Sequence, residues 1–352
     1  MRNSISIFVL LVTSFSVSGQ FTGKKDTLRF APDSSYSRAI MRFNKTDLIF
    51  GTSKSGVIQY NEKTKETGCV IPHEPDGEYR DVASFGKAIF GMVSGDNGKI
   101  EYNSGSLVMK NSIDSTVFYD DLVRYRESLI ILGDPVDGHF FLKNVQMIPS
   151  LTIDLVQLPT IKNQPDEACY AASGTTAQLV GKSDYVFVSG GKQSARFHRF
   201  NLKDSTTYFV CDLPMVKGEG AGPFSVYFTD ENHGVIVGGN YLQPQDNSGT
   251  CVYTEDGGKT WSKASRAPNG YRSCVTGNKK ILFSCGTTGI DYSRDGGKTW
   301  FFFDSGNYCA LLFEKGRLYA TTNKGTCIRY TSPKRQPKGK TIAGYTTEPI
   351  LF

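Results

Sequence analysis

Two near-identical octapeptides decide the fold class of this sequence: Thr254-Glu-Asp-Gly-Gly-Lys-Thr-Trp261 and Ser293-Arg-Asp-Gly-Gly-Lys-Thr-Trp300. Both fit the pattern Ser/Thr-x-Asp-x-Gly-x-x-Trp, known as an Asp box. An Asp in such a turn accepts hydrogen bonds from nearby backbone amides, the glycines permit positive φ, and the Trp ring fills the space between sheets. We predict that each box staples a hairpin at the rim of a sheet and is neither a catalytic nor a calcium loop. The residues assigned to this role are Thr254, Asp256, Gly258, Trp261, Ser293, Asp295, Gly297 and Trp300.

Upstream of both octapeptides the same order of parts recurs: an apolar strand, a polar turn, a second strand that ends in Gly, and a third strand. Seven such units begin near residues 38, 80, 120, 167, 224, 272 and 308, at intervals of 36 to 57 residues. The fourth unit opens with Glu167-Ala-Cys-Tyr-Ala-Ala-Ser-Gly174, which we expect to be its inner strand. Short strands between Gly, Asn and Asp turns indicate an all-β chain, and this repeat length is typical of a β-propeller. The sequence therefore predicts one domain over residues 20–352, with seven four-stranded blades.

Closure of the ring requires that one blade be completed by a strand from a chain end. Residues 27–31 and the strand-like C-terminal end are both candidates, and the sequence does not choose between them. The segment 332–352 is accordingly either a basic tail or the closing strand.

The first residues read as an export signal. Arg2 supplies a positive charge, Ile5 to Val12 form a short apolar run, and Val17-Ser18-Gly19 offers a cleavage site, so residues 1–19 are expected to be removed. Later segments lack the roughly 20 apolar residues that span a bilayer. We expect a periplasmic or secreted monomer.

Composition disfavours several classes of function. The net charge of +6 is spread along the chain, without the concentrated basic face that is typical of nucleic-acid-binding proteins. The four His are far apart, and motifs for dinucleotide, haem or flavin binding are lacking, so neither a metal nor a cofactor is expected. Most of the eight Cys lie in apolar, strand-like runs. The candidate disulfide pair is Cys274 with Cys285, which could face each other across one hairpin.

Charged and aromatic residues stand at the starts of the predicted inner strands, which approach one mouth of the central channel. The candidate ligand-binding residues are Arg38, Arg80, Asp81, Asp120, Glu167, Tyr271 and Arg272, with Arg196 as a further candidate for the same face. Arg offers a planar fork that matches carboxylates. The alternative is that these charges pair with one another and plug the channel, because unpaired buried charge is costly.

The two octapeptides resemble the Asp boxes of sialidases, sortilin-type receptors and photosystem II stability/assembly-factor-like propellers. Over residues 35–330 the sequence is most similar to the last group. The segments that carry this resemblance are Tyr79-Arg-Asp-Val-Ala83, Gly133-Asp-Pro-Val-Asp-Gly138, Glu167–Gly174, Phe224-Ser-Val226, His233-Gly-Val-Ile-Val-Gly-Gly-Asn-Tyr241 and Gly270-Tyr-Arg-Ser273. The resemblance implies a non-catalytic periplasmic propeller that binds a protein or peptide and helps to assemble or stabilise a complex.

Two other functions remain open. A sialidase-like glycoside hydrolase would use Asp81, Asp120 or Glu167 as acid and base, but Arg38 is followed by Ala39-Ile40 and lacks the Arg-Ile-Pro segment of such enzymes. The third function is a module that binds an acidic glycan or a small carboxylate without turnover. An oxidoreductase is the least supported function.

Overall fold

The computed structural model describes residues 23–332, apart from positions 74, 76, 96–97, 106–107, 147–151 and 154–157. The predicted export signal and positions 333–352 of the predicted tail lie outside these residues. All regular structure within the described part is β-strand. Within that part of the chain, no helix is long and apolar enough to span a membrane.

The described strands form seven antiparallel sheets, each with its first strand towards the centre of a closed ring. The strand β1 (Lys24–Arg29) precedes the first blade. Blade 1 contains β2 (Ser37–Arg42), β3 (Asp47–Thr52), β4 (Val57–Asn61) and β5 (Thr67–Ile71). Blade 2 contains β6 (Glu78–Phe85), β7 (Ala88–Ser94), β8 (Lys99–Asn103) and β9 (Val108–Asn111). Blade 3 contains β10 (Tyr119–Tyr125), β11 (Ser128–Val136), β12 (His139–Gln146) and β13 (Thr152–Ile153).

In blade 4 the inner position is shared by two short strands. Blade 4 contains β14 (Glu167–Ala168), β15 (Ala177–Val180), β16 (Asp184–Gly191), β17 (Ala195–Asn201) and β18 (Asp204–Asp212). Blade 5 contains β19 (Ala221–Phe228), β20 (Gly234–Asn240), β21 (Cys251–Thr254) and β22 (Ser262–Lys263). Blade 6 contains β23 (Cys274–Asn278), β24 (Ile281–Gly286), β25 (Gly289–Ser293) and β26 (Phe301–Asp304). Blade 7 contains β27 (Tyr308–Glu314), β28 (Arg317–Thr322) and β29 (Thr326–Thr331). The predicted seven-bladed propeller is confirmed.

The strand β1 completes blade 7 and closes the ring. It pairs antiparallel with β29 over six register positions, from Lys24 opposite Thr331 to Arg29 opposite Thr326. Leu28 and Phe30 then pack into the cluster between blades 7 and 1. Of the two closing segments that the sequence left open, the N-terminal one holds this position.

Around the channel, hydrogen bonds link the inner edges of consecutive blades from blade 2 to blade 7. An inner strand is the edge of its sheet, so one row of its backbone N–H groups has no partner within the blade. Side chains of the preceding blade accept several of these hydrogens. The pairs are Leu122 N to Asp81 Oδ2 at 2.7 Å, Ala177 N to Asp121 Oδ2 at 3.0 Å, Val275 N to Ser225 Oγ at 3.0 Å and Leu311 N to Cys274 Sγ at 3.4 Å. Between blades 4 and 5 the acceptor is a backbone oxygen, that of Thr175, which lies 3.0 Å from Val226 N.

The octapeptides of blades 5 and 6 connect the third strand of each blade to the fourth, and the same hydrogen bonds recur in both. In blade 6, Ser293 Oγ accepts from Gly297 N at 3.0 Å, and Asp295 Oδ1 accepts from Thr299 N at 2.9 Å. In blade 5 the matching distances, to Thr254 Oγ1 and Asp256 Oδ1, are both 2.9 Å. Trp300 is 1% exposed and lies between blades 5 and 6, whereas Trp261 contacts Phe197 and Phe228 between blades 4 and 5.

Two adjacent glycines of the second octapeptide allow a matched test of this packing. Gly296 and Gly297 have φ of 76° and 89°, so a Cβ at either position costs about 1–2 kcal/mol of backbone strain. At Gly297 the added Cβ would lie 2.4 Å from Val235 Cγ2, whereas at Gly296 nothing lies within 4 Å. We expect Gly297→Ala to lower the free energy of unfolding by about 1–3 kcal/mol more than Gly296→Ala, because the interior resists overpacking. Urea denaturation measures both, and equal losses would contradict this account.

Candidate functional site

The segment 169–176 leaves the inner edge of blade 4 and crosses the central channel. Ser173 Oγ donates a hydrogen bond to the backbone oxygen of Ser273 in blade 6, at 2.7 Å. Ala172 O lies 3.5 Å from Arg38 Nη1 in blade 1. A Cβ on Gly174, which has φ of 60°, would lie 2.4 Å from Asp81 Oδ1 in blade 2. The segment touches blades on the far side of the axis and therefore blocks the channel.

This crossing corrects the prediction that Glu167–Gly174 forms the inner strand of blade 4. Regular pairing stops after Ala168 and resumes at Ala177. The apolar composition that suggested a strand reflects burial instead, since Ala171, Ala172 and Ser173 are 4–6% exposed. Only small side chains fit where seven inner strands converge.

On the side of the crossing segment where the inner strands begin, two Arg residues share one carboxylate. Arg80 Nε donates to Glu78 Oε2 at 2.9 Å, while Arg38 Nε lies 3.9 Å from the same oxygen, beyond hydrogen-bonding distance. The hydroxyl of Tyr36 donates to Glu78 Oε1. The side chains of Arg38, Arg80 and Glu78 are 32%, 27% and 27% exposed. We call Arg38, Arg80, Glu78 and Tyr36 the mouth site.

Aromatic rings support both guanidinium groups of the mouth site. The Arg38 guanidinium carbon lies 5.3 Å from the ring centroid of Tyr36, and that of Arg80 lies 5.4 Å from the centroid of Phe118. Stacking of this kind favours the cation and fixes the plane of its fork. Arg38 Nε is buried and has no hydrogen-bond partner among the described residues. The mouth site thus has more positive than negative charge and a donor that is not satisfied.

Glu167 and Arg196, both predicted at the mouth, bind each other inside blade 4. Arg196 Nε donates to Glu167 Oε1 at 2.6 Å, and Arg196 Nη2 donates to Glu167 Oε2. Ser189 Oγ and the backbone N–H of Gln164 donate to the same carboxylate at 2.6 and 2.7 Å. Glu167 is 4% exposed. The pair fastens the start of the inner strand to the third strand, and it is not available to a ligand.

Arg272 is likewise removed from the mouth, which corrects its assignment as a ligand-binding residue. It is 0% exposed and donates to Asp291 through Nε at 2.8 Å and through Nη2. Its Nη1 donates to Tyr271 O at 2.8 Å and to Thr288 Oγ1 at 2.6 Å. Tyr271 is 6% exposed, and its ring stands edge-on to Phe224. Glu167 and Arg196 therefore pair with each other, as the alternative expected, and Arg272 pairs with Asp291. In the mouth site two Arg side chains share one Glu.

Asp81, Asp120 and Glu167, the carboxyl groups that a hydrolase would use, are 6%, 0% and 4% exposed. Asp81 is held by the N–H groups of Val82 and Leu122, both at 2.7 Å. Burial and the neighbouring Asp121 raise the pKa of Asp81 well above its usual value. Burial likewise raises the pKa of Asp121 to about 7. Asp81 and Asp121 thus accept N–H groups of the inner strands, and all three carboxyl groups of the hydrolase hypothesis are buried.

The cysteines and potential metal ligands give two further results. Cys274 and Cys285 are register partners across the β23–β24 hairpin, but both are free thiols, as are the other six Cys. The structure does not bridge the two thiols, and the disulfide stays a prediction. Cys274 Sγ instead accepts the Leu311 N–H of blade 7. Among the described residues, no group of three or more His, Cys, Asp or Glu is arranged to hold a metal ion.

Sequence reasoning missed Glu78 and Tyr36, which complete the mouth site, and Phe118, which lies under the Arg80 guanidinium group. Each lies within two residues of an Arg or Asp that was singled out: Tyr36 before Arg38, Glu78 before Arg80, and Phe118 before Asp120. The bulge between Tyr79 and Asp81 places Arg80 outside the regular ladder. Bulges are common next to functional sites, and this one turns Arg80 towards Glu78.

Neither a protein-family model nor a curated protein matches this sequence. Solved propellers of similar fold include YCF48 bound to a D1 peptide, at 11% identity and a TM-score of 0.58, covering 90% of this chain and 100% of that chain. Virginiamycin B lyase from Staphylococcus aureus with quinupristin has 10% identity and a TM-score of 0.59, with 88% and 99% covered. The WD40 propeller domain of Doa1 has 8% identity and a TM-score of 0.61, with 89% and 98% covered. At these identities the likeness shows the propeller fold.

The Arg272–Asp291 pair predicts a large structural effect. Arg272→Ala leaves the Asp291 carboxylate buried without its cation, so we expect a loss of about 3–5 kcal/mol in the free energy of unfolding. Arg80→Ala, at a partly exposed position, should cost about 1 kcal/mol or less. Urea denaturation compares the two variants. If Arg272→Ala is as stable as Arg80→Ala, the buried pair is not structural.

The buried carboxyl groups predict a pH dependence of known sign. Because the pKa of Asp121 is raised, the folded chain keeps a proton that the unfolded chain has lost by about pH 5. This stabilising contribution is present at low pH and is lost as the pH rises through about 7. Asp121→Asn removes the titration, so we expect its stability relative to the parent to increase between pH 5 and pH 8. Urea denaturation at each pH tests this, and a constant difference between the two proteins would contradict it.

Proposed function

We propose that this chain is an exported, non-catalytic propeller that binds a protein or peptide partner at the mouth site and acts in the assembly or stabilisation of a complex. The observation that carries the proposal is the unbalanced pair Arg38 and Arg80, which share Glu78 and lie on aromatic rings. Since the crossing segment blocks the channel, a ligand binds on the face of the propeller and does not enter it.

The chemistry of the mouth site favours a partner that presents a carboxylate. The Arg38 and Arg80 side chains are partly exposed and share the single carboxylate of Glu78, and a guanidinium fork binds a carboxylate through two parallel hydrogen bonds. A carboxylate from a Glu or Asp side chain of a partner would meet both guanidinium groups at once. The solved propeller of similar fold that holds a peptide, YCF48 with the D1 peptide, supports a peptide as the ligand.

Export is part of the same proposal. It rests on the charged and apolar pattern of residues 1–19, which precede the first described strand. An exported propeller would meet its partner in the periplasm or outside the cell.

The first test is affinity capture from native periplasm with the mature chain and with Arg38→Ala/Arg80→Ala. We expect the parent to capture one discrete partner at physiological salt, and the double variant to lose it. The matched control is Arg124→Ala/Arg317→Ala. Both residues are exposed, and both lie at the strand ends that are farthest from the mouth site. Capture should weaken as salt is raised, because the contact is between exposed charges.

Two outcomes would overturn the proposal. One is a partner that the double variant retains while its melting temperature matches that of the parent. The other is the lack of a specific partner for the parent. In the second case, titration with acetate and with sialic acid would show whether the mouth site takes a small carboxylate instead of a protein.

A further inference from the structure

A second cleft opens on the same face as the mouth site, between blades 3, 4 and 5. Its volume is about 470 Å³. Four carboxylate side chains line it: Glu167 at the start of β14, and Asp134 near the end of β11, Asp166 before β14 and Glu219 before β19. We call it the acidic cleft. It contains no residue of the mouth site.

The charge of the acidic cleft is not balanced by the chain itself. Glu167 also lines the cleft, but Arg196 neutralises it. Within the described part of the chain, Asp134, Asp166 and Glu219 make no ion pair. Lys192 is the cation that lines the cleft, and it is exposed and unpaired there. Three carboxylates therefore face one ammonium group.

A buried carboxyl group, that of Asp120, lies against the Asp134 side chain behind the cleft. Asp120 is 0% exposed, and neither of its oxygens has a hydrogen-bond partner among the described residues. It lies against Asp134, whose Oδ1 accepts the Cys169 N–H at 3.1 Å. Burial raises the pKa of Asp120 well above its usual value, and that of Asp134 to about 6. Two carboxyl groups in contact must hold a proton or a cation between them.

The walls of the cleft suit the stem of a long basic side chain. Tyr170 forms one wall, and its hydroxyl is held by Ala221 O at 3.0 Å. Gly218 and Gly220 leave the opposite wall without side chains. Beyond them Tyr241 and Leu242 are 51% and 59% exposed, with Tyr241 N bound to Gly220 O at 3.1 Å. Arg side chains lay their apolar stems on such surfaces and keep the charged end on carboxylates.

We infer that the acidic cleft binds the guanidinium group of an Arg in a partner polypeptide, with Asp134 at its floor, Glu219 at its rim, and Tyr241 and Leu242 against a neighbouring apolar residue. This extends the proposed function but does not rest on it, because the two sites share no residue. Together they give the face a cationic site and an anionic site side by side.

The probe is a blocked tetrapeptide, acetyl-Gly-Arg-Leu-Gly-amide, titrated into the full mature chain and followed by calorimetry at pH 7. Its control replaces Arg by citrulline, which keeps the shape and removes the charge. We expect the citrulline peptide to bind at least about ten-fold more weakly, since a hydrogen bond to a charged group contributes about 1.5–3 kcal/mol. Asp134→Asn and Glu219→Gln should each lower the affinity for the Arg peptide by about three- to ten-fold.

Matched variants separate this site from the fold and from the mouth site. Glu127→Gln makes the same change as Glu219→Gln at an exposed turn on the opposite face and should leave the affinity unchanged. Arg38→Ala should also leave it unchanged, whatever becomes of the partner of the mouth site. If Asp134→Asn fails to fold, Glu219→Gln and Asp166→Asn decide the question. Equal binding of the two peptides, no binding at millimolar concentration, or full affinity in both carboxylate variants overturns the inference.

Discussion

The structure depends on how the inner edge of each sheet is satisfied. Seven sheets that pack face to face leave seven edges around one channel, and the backbone groups there are too enclosed to rely on water. Asp81, Asp121, Ser225 and Cys274 meet this constraint by accepting an N–H from the next blade. The acids in this ring are there for hydrogen bonding, which explains why they are buried and why burial raises the pKa of Asp81 and of Asp121.

A second device recurs outside this ring. In blade 4 an acid on the inner strand, Glu167, binds an Arg on the third strand; in blade 6 an Arg beside the inner strand, Arg272, binds an acid on the third strand. Blade 2 uses a neutral donor, as the hydroxyl of Tyr79 lies 2.6 Å from Glu101 Oε2. The partners on the third strand lie opposite Ser189, Ser284 and Gly91 of the second strand. Blades 4 and 6 thus share an ion pair between the start of the inner strand and the third strand, with the acid and the Arg in exchanged positions.

These two kinds of contact explain which features of the structure can be predicted from the sequence and which cannot. The repeat of strands and turns predicts the seven blades because each blade is a local unit. Charged residues at strand starts are equally visible, but their partners are 19 to 29 residues away on other strands, so the sequence does not distinguish Arg272, which is buried on Asp291, from Arg80, which is partly open. The segment 169–176 misleads for a related reason, since burial in a channel and burial in a sheet select the same small apolar residues. Glu78 was missed because its role arises from a bulge that only the fold reveals.

Closure by β1 joins two segments that are almost the whole chain apart, with Leu28 opposite Cys327. Bringing such distant segments together costs about 5 kcal/mol of loop entropy, since that cost grows only with the logarithm of the separation. The six-residue ladder and the burial of Leu28 and Phe30 offset it. During synthesis the first strand to emerge must wait for the last. The ring of blades therefore closes in a single late step. A truncation at either end of the described chain removes a strand from the same blade, blade 7.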